Sequence, residues 1–599
     1  QWRVDPYPEP CLRCAAHGGR GTLSVVPYAE EPGASHAVPS ALAYDVDLDG
    51  FASDVLTLAV PFASLTQEAE WSRVAGLAYE EKLSDVVGYW HGYVDAGGQM
   101  HLPDAVLGDL HRAVRTHVAI SVDKDPATGM IVVPAATWVY GACGNEACWQ
   151  ITMLDQAGHH DRAESYLETF LRTQGVKGLD GNFSSAEGAL NAMDLDAGTP
   201  LTGHFSYNLD HGYIMECLAA HYRYTGDRAW LERVAPKLVA ACDFVIRERQ
   251  ATMVKGPDGA PGPAWGLLPA GHLEDNPEWR HWFAVNAHAC GGMTAIAEVL
   301  AEIGHPEAPR LAREAASYRE DIRRAARKAM EEAPVVRLLD GTYVPHVPTR
   351  TGLRGREWGW FREAAYGALH LLDGGVFEPH EPEITWLLKD LEDNLFVSRE
   401  WGRPVDLEQF WFSQGGVTIQ ANLMDLALDY VRRGQPEHAL RALFNNLGQQ
   451  LYPDVRAFTE HPVVELGHGV GPFYKTPDES KSLIWLRSCL LWEEGNTLHL
   501  APAAPRAWFE PGQSWSLERM ATWFGPVTYR VKAEQSAVTV WVEAPTQRRP
   551  AELVLHLRRP ARQPMRAATV NGEPAAFDAA KEEVRIPAPA GTLEVRVEY

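Results

Sequence analysis

Five tight corners between helices constrain this chain more than any other feature. From about residue 104 to 490 the apolar residues recur with a helical period, and helix ends carry a Gly followed by a polar helix start. The corners are Gly158 in "DQAGHHDRAESYL", Gly226 in "YTGDRAWLERV", Gly304 in "EIGHPEAPRLA", Gly374 in "LLDGGVFEPHEPEITWLL" and Gly434 in "RRGQPEHALRAL". Gly enters the left-handed conformation just past a helix C-terminus without a Cβ clash. Pro, Asp and Glu suit the first turn that follows. The corners recur at intervals of 68, 78, 70 and 60 residues, far longer than short helical repeats need. Two ordinary helices use about half of each interval, so the excess lies in long loops on the side opposite the corners. Long connections of this kind are usually functional.

The two helices of each hairpin differ in kind. Those ending at corners are apolar around much of their surface: "GYIMECLAAHY" (212–222), "AAYGALHLL" (364–372) and "VTIQANLMDLALDYV" (417–431). Those after the corners carry a broad charged face, as in "RLAREAASYREDIRRAARKAM" (310–330). Helices apolar all round are buried and amphipathic ones are peripheral, which predicts an inner and an outer ring. With a first outer helix near 105–118 and a last inner helix near 478–492, about a dozen helices close into a toroid of six hairpins. Its long loops open at the N-terminal ends of the inner helices.

On either side the period is two. "GTLSVVPYA" (21–29), "ALAYDVDLD" (41–49) and "VLTLAVPFA" (55–63) read as strands. "DVDLDG" (45–50) resembles the start of a calcium loop through Asp45, Asp47 and Asp49, but Leu56 stands where its twelfth-position Glu belongs. A strand with Asp on its wet face accounts for it better, and no cofactor is expected beyond that weak calcium signal. After Asn496, "VTVWVEA" (538–544), "AELVLHLRR" (551–559), an Asn571-Gly572 hairpin turn and "TLEVRVEY" (592–599) predict a C-terminal β-sandwich. The expected domains are 1–100, 101–495 and 496–599.

The long loops hold an outsized share of aromatic and acidic residues. "WVYGACGNEACW" (138–149) carries Trp138, Tyr140 and Glu146; "GHFSYNLDHGY" (203–213) carries Asp210 and His211. "GHLEDNPEWRHWF" (271–283) carries Glu274, Asp275, Trp279 and Trp282. "RTGLRGREWGWFREAAYG" (350–367) carries Arg356, Glu357, Trp358 and Trp360; "PVDLEQFWFSQGG" (404–416) carries Trp411 and Gln414. "FTEHPVVELGHGVGPFY" (458–474) carries Glu460, His461 and Glu465. Any one Trp more often packs and any one Glu is more often solvated. Six such loops at one end of a ring instead suggest a concave pocket with flat aromatic faces and a few polar groups. Sugar rings stack their C–H faces on Trp and Tyr while carboxylates and amides hold their hydroxyls.

This arrangement resembles the bacterial six-hairpin glycosidases, the clan of glucoamylases and α-L-rhamnosidases. The residues that carry the resemblance are "YWHGYVDAGGQMHLPD" (89–104), "GLLPAGHLED" (266–275) and "LHLAPAAPRAWFEPGQSWSLERMATWFGPVTYRV" (498–531). It implies a multidomain chain: a central (α/α)6 toroid flanked by N- and C-terminal β-sandwich domains. In that clan the general acid lies in the loop before the third inner helix and the base in the loop before the sixth. Carried over, the acid is Asp275 or Glu274. Asp275 is favoured because Pro277 and Trp279 fix the turn beyond it and aromatic neighbours raise a carboxyl's pKa. The base is Glu460, with His461 beside it. The activity implied is an exo-acting, inverting glycoside hydrolase, α-L-rhamnosidase-like, although "WGLLPAG" replaces the rhamnosidase pattern ahead of the acid.

Other readings are a glycoside phosphorylase, a polysaccharide lyase, or a sugar-binding protein on an inactive barrel. Arg350, Arg354 and Arg356 give one loop basic character but leave Glu460 and Glu465 unexplained in a phosphorylase. The acidic loops argue against a lyase. "GHHDRAE" (158–164) falls at a short corner and reads as a solvated helix start rather than a metal site. With 54 Lys and Arg against 79 Asp and Glu, net charge −25, neither nucleic acid nor an anionic membrane is an expected partner. No stretch approaches the ~20 apolar residues that span a bilayer. The eight Cys are too sparse for a disulfide scaffold, and Cys11 and Cys14 are a lone CxxC. Cys143 and Cys148 either bridge or remain two thiols. The chain opens on Gln1 without a signal peptide, which implies an upstream segment and leaves its compartment unread.

Overall fold

A computed structural model describes residues 14–27, 40–61, 65–125, 128–136, 141–194, 199–200, 207–273, 278–355, 368–395, 425–463 and 468–599. The chain divides into two compact units between Tyr93 and Val94. The first contains two antiparallel strand pairs. β1 (Ala15–Gly18) pairs with β4 (Leu56–Ala59), and β2 (Thr22–Pro27) with β3 (Ser40–Asp45). Asp45, Asp47 and Asp49 are all exposed. Helix α1 (Glu68–Ala75) follows, and the division falls within α2 (Tyr79–Ala96).

The second unit opens with a short strand, β5 (Gln99–His101), and α3 (Ala105–Ser121), whose N-terminus is capped by Asp104. Helical hairpins follow: α4 (Gly144–Gln156) with α5 (His160–Thr173), and α6 (Leu209–Thr225) with α7 (Arg228–Ala251). Next come α8 (Phe283–Glu302) with α9 (Ala308–Glu332), then α10 (His370–Asp373) and α11 (Pro382–Asp390). Last are α12 (Leu426–Arg432), α13 (Pro436–Gln450) and α14 (Thr476–Leu490).

The corners form as their chemistry predicts at four of five positions. Gly158, Gly226, Gly304 and Gly434 have φ of 83°, 65°, 75° and 63°. After Gly158, Gly304 and Gly434 the next amide donates back five residues, His159 to Leu154, His305 to Leu300 and Gln435 to Tyr430. At the remaining corner the left-handed residue is Gly375 (φ 66°), not Gly374. Gly374 is glycine for another reason: a Cβ there would lie 2.3 Å from the Ala287 carbonyl oxygen of α8.

Burial separates the helices into two kinds. All fifteen residues of α14 are buried, and α4 and α6 are buried almost throughout. α9 instead buries one stripe, Leu311, Ala315, Tyr318, Ile322 and Ala326, and turns its charges outward. The buried helices pack in succession: α4 on α6, α6 on α8, α8 on α10, α12 on α14, and α14 back on α4. Between α10 and α12, Asp373 and Arg432 approach to 3.6 Å.

A three-stranded sheet precedes α14, built from β6 (Leu451–Tyr452), β7 (Ala457–Val463) and β8 (His468–Phe473). Beyond α14 lie β9 (Leu491–Glu494), β10 (Thr497–Leu500), β11 (Ser514–Met520), β12 (Val527–Ala533), β13 (Ala537–Glu543) and β14 (Glu552–His556). They continue as β15 (Ala567–Val570), β16 (Glu573–Pro574), β17 (Phe577–Asp578), β18 (Glu583–Pro587) and β19 (Thr592–Glu598). One sheet runs β9-β10-β14-β18-β17 and the other β16-β15-β19-β13-β12-β11-β5. The expected turn at Asn571 and Gly572 joins β15 to β16 with both residues at positive φ, 51° and 83°. These sheets lie against the corner ends of the helices: the Ala521 amide donates to the Gln156 carbonyl, and Arg548 pairs with Glu302. The opposite ends, where the long loops start, remain for a site.

Candidate active site

At the N-terminal ends of α4, α6 and α14 the first turns carry acidic side chains, as helix dipoles favour. These turns are buried. Glu146 and Lys475, which stands immediately before α14, are joined by a 2.7 Å hydrogen bond, and both are nearly inaccessible. The Lys475 ammonium also lies 3.6 Å from Glu460. Burial alone would lower the lysine's pKa; the charges of Glu146, Glu460 and Asp478 outweigh it and push it well above the ordinary value.

The local structure explains how Glu460 reaches this cluster. The sequence suggests a loop there, but Glu460 sits in β7. Thr459 pairs with Phe473 and His461 with Val470, so two residues of β8, Gly471 and Pro472, stand opposite Glu460 alone. Such bulges re-aim a side chain. The strand is tied to α14 on both sides, with the Phe458 amide donating to Glu479 and the Lys475 amide to the Phe458 carbonyl. Glu479 spends its other oxygen on His117 of α3 at 2.9 Å.

Asp210 accepts from the first amides of α4, Gly144 at 3.0 Å and Asn145 at 2.9 Å. It thus caps a neighbouring helix, and a Cβ on Gly144 would meet the Asp210 carboxyl at 2.7 Å. Burial outweighs the amide donors and pushes its pKa up to about 7.

The interior behind these first turns is also polar. Lys481 bonds Asp425 at 2.8 Å and sits 2.9 Å from the centre of the Trp149 ring. His288 bonds Glu216 at 3.1 Å through Nδ1 and His370 at 3.0 Å through Nε2. Burial raises the Glu216 pKa well above the carboxylate range and lowers that of His288 to about 3. One arrangement satisfies both: protonated Glu216 donates to His288, which donates to His370. Deeper still, burial and the Asp425 charge push Asp373 up to about 7 beside Asp429 and Arg432.

Of the residues singled out from the sequence, Glu146 and Glu460 are brought together through Lys475. Trp279 is 47 % exposed, edge-on to His272. Trp282 is buried at the start of α8, its indole N–H donating to the Glu278 carbonyl. His211 points away into the core, where it accepts from the Leu190 amide and packs on Phe244. Trp138, Tyr140, Glu274, Asp275, Arg356, Glu357, Trp358, Trp360, Trp411, Gln414 and Glu465 lie outside the described residues, as does the His461 side chain. The segment carrying Glu274 and Asp275 is closed at its base by paired backbone hydrogen bonds between Gly271 and Arg280. Cys143 and Cys148 are unbridged thiols. Among the described residues no three His, Cys, Asp or Glu side chains gather as a metal's ligands would. Nor is any helix among them long and apolar enough to cross a membrane.

His211 supplies a pH-dependent expectation. Burial lowers its pKa to about 3, against about 6.5 in an unfolded chain. Its stabilising contribution is therefore complete above pH 6.5 and is lost as pH falls from 6.5 toward 3. His211→Asn keeps an acceptor for the Leu190 amide and should cost roughly 1–2 kcal/mol at pH 7 from lost packing. Below pH 6.5 that gap should narrow by about 1.4 kcal/mol per pH unit, as read by urea denaturation at pH 7 and 5. A gap of constant size would show that His211 is not held neutral.

No family model matches this sequence, and no curated protein matches it. Solved structures do. An α-L-rhamnosidase from Dictyoglumus thermophilum aligns with a TM-score of 0.50 at 10% identity, over 84% of this chain and 50% of that one. This chain thus spans half the length of that enzyme. A bacterial glucoamylase complexed with acarbose gives 0.49 at 13%, over 76% and 66%. A wild-type glycosidase gives 0.44 at 16%, over 64% and 97%. The alignment with the rhamnosidase shows the fold alone, and that fold is six-hairpin glycosidase-like.

Proposed function

We propose that this protein is a glycoside hydrolase whose helices form an (α/α)6 toroid between N- and C-terminal β-sandwich domains. It is a bacterial-type, exo-acting, inverting enzyme, with an α-L-rhamnoside as the first substrate to try. Asp275, with Glu274 as the alternative, protonates the leaving oxygen, and Glu460 activates the attacking water on the opposite face. The observation that carries this reading is Glu460 itself: an acidic residue at a strand bulge, 8 % exposed and 3.6 Å from a buried ammonium, over the N-terminal ends of the buried helices. A buried carboxylate held beside a buried ammonium at the loop ends of the helices is the kind of arrangement that clusters at functional sites. An elaborated loop side also favours a pocket for a chain end over an open groove.

The test is release of nitrophenol from aryl glycosides: α-L-rhamnoside, α- and β-glucoside, arabinofuranoside, fucoside and glucuronide. Hydrolysis of one member names the sugar and supports the reading. Binding of free sugars in calorimetry with no hydrolysis of the panel or of oligosaccharides would replace it with a sugar-binding barrel.

A further inference from the structure

A lysine is an unusual residue to bury at a helix start, where the dipole disfavours a cation. Lys475 is 2 % exposed, and three independent features fix it there. Tyr474 before it is in the left-handed region (φ 56°) with its ring edge-on to His117. The Lys475 amide is bound to the Phe458 carbonyl, and Thr476 and Pro477 behind it begin the wholly buried α14. The ammonium therefore has little freedom, and it meets Glu146 at 2.7 Å and Glu460 at 3.6 Å.

We propose that Lys475 is a positioning residue for the general base: its ammonium, fixed between Glu146 and Glu460, holds the Glu460 carboxylate in place and in its proton-accepting form. This rests on Glu460 being the base. Among the described residues, the charged and titratable groups facing the pair are Glu146 on α4, Asp210 on α6, Asp478 and Glu479 on α14, and His117 on α3. Apart from His117, which is paired with Glu479, all of these are acids. Each of those acids, when ionised, raises the cost of a second negative charge, so the ammonium is what offsets them. Glu146 takes the shorter bond and anchors the lysine, leaving its charge but not its nearest contact to Glu460.

The experiment uses the intact chain with δ-13C-labelled glutamate. The carboxyl signal missing from Glu460→Gln identifies Glu460, and its titration midpoint is followed in Lys475→Met and Lys475→Arg. Removing an opposite charge at this distance should raise the midpoint by about one pH unit or more, and arginine should return it toward wild type. The acid limb of kcat/KM, measured on the aryl glycoside that wild type cleaves, should move up in Lys475→Met with it. Glu146→Gln is the second variant if Lys475→Met does not fold: with a like charge gone, the Glu460 midpoint should fall. A midpoint that ignores both substitutions overturns the proposal while leaving the hydrolase reading intact. A wild type silent on every glycoside overturns the hydrolase reading, and the role assigned to Lys475 with it.

Discussion

Arg487→Met is expected to destabilise the protein by about 3–5 kcal/mol, although residue 487 lies at the end of α14 away from the candidate site. Arg487 is 2 % exposed and so is Glu493, which it grips through both guanidinium nitrogens, the longer bond being 2.6 Å. The same guanidinium donates to the Leu491 carbonyl at 3.0 Å and the Ala521 carbonyl at 2.7 Å. It therefore joins α14, β9 and the turn after β11 at the seam where the helices meet the C-terminal sheets. Methionine fills the volume but leaves Glu493 charged and buried without its partner, which is the costly half of breaking a buried pair. Arg487→Met with Glu493→Leu removes both charges and should recover most of the loss. Urea denaturation of wild type, the single and the double variant measures this; a single variant within about 1 kcal/mol of wild type would show that the pair is not buried in solution.

This pair also shows what a sequence reader can and cannot see. The helical corners are legible because a left-handed glycine and the backbone bond that follows it are local events, set within six residues. Where two glycines adjoin, at 374 and 375, local rules do not choose between them. What the fold adds is that the close approach of Ala287, nearly ninety positions away, leaves no room for a side chain at 374. The expectation that buried helices are apolar holds for α8 but not for α14. Counting hairpins places α14 as the last inner helix, but its Asp478, Glu479, Lys481 and Arg487 are all buried, and Glu479, Lys481 and Arg487 have partners on other elements. Periodicity registers hydrophobicity and not pairing, so the sequence can place the helix but not show that its charges are neutralised from outside.

The same limit governs the site. Glu460 stands out because its loop is rich in aromatic and acidic residues. Lys475 lies one residue beyond that stretch, in "YKTPDE", which reads as an ordinary solvated helix start. Asp210 reads equally well as a sugar ligand until the first turn of α4 is seen to occupy both of its oxygens. A polar residue in a loop announces chemistry, but only the fold says whether a backbone amide already uses it.

Glu460→Gln should reduce kcat by about 10²–10⁴-fold with little change in KM, because removing a general base affects the transition state far more than substrate binding. The substitution isolates that role. Glutamine has the size of glutamate and still presents an oxygen toward Lys475, but it cannot take a proton from water. Lys475 keeps Glu146 at 2.7 Å, so the ammonium is not stranded and folding should be nearly unaffected. Glu146→Gln removes the charge from that closer bond, yet if Glu146 only anchors the lysine its kcat at the optimum should fall less than tenfold. Asp275→Asn should match Glu460→Gln in size, since an inverting mechanism needs both carboxyl groups in one transition state. The fresh product, followed by NMR before mutarotation, should have the opposite anomeric configuration to the substrate. A retained configuration would make one carboxylate a nucleophile and bring the pair to within about 5.5 Å. If Glu460→Gln keeps more than a tenth of the activity while Glu146→Gln loses it, the base is on α4, and Lys475 serves Glu146.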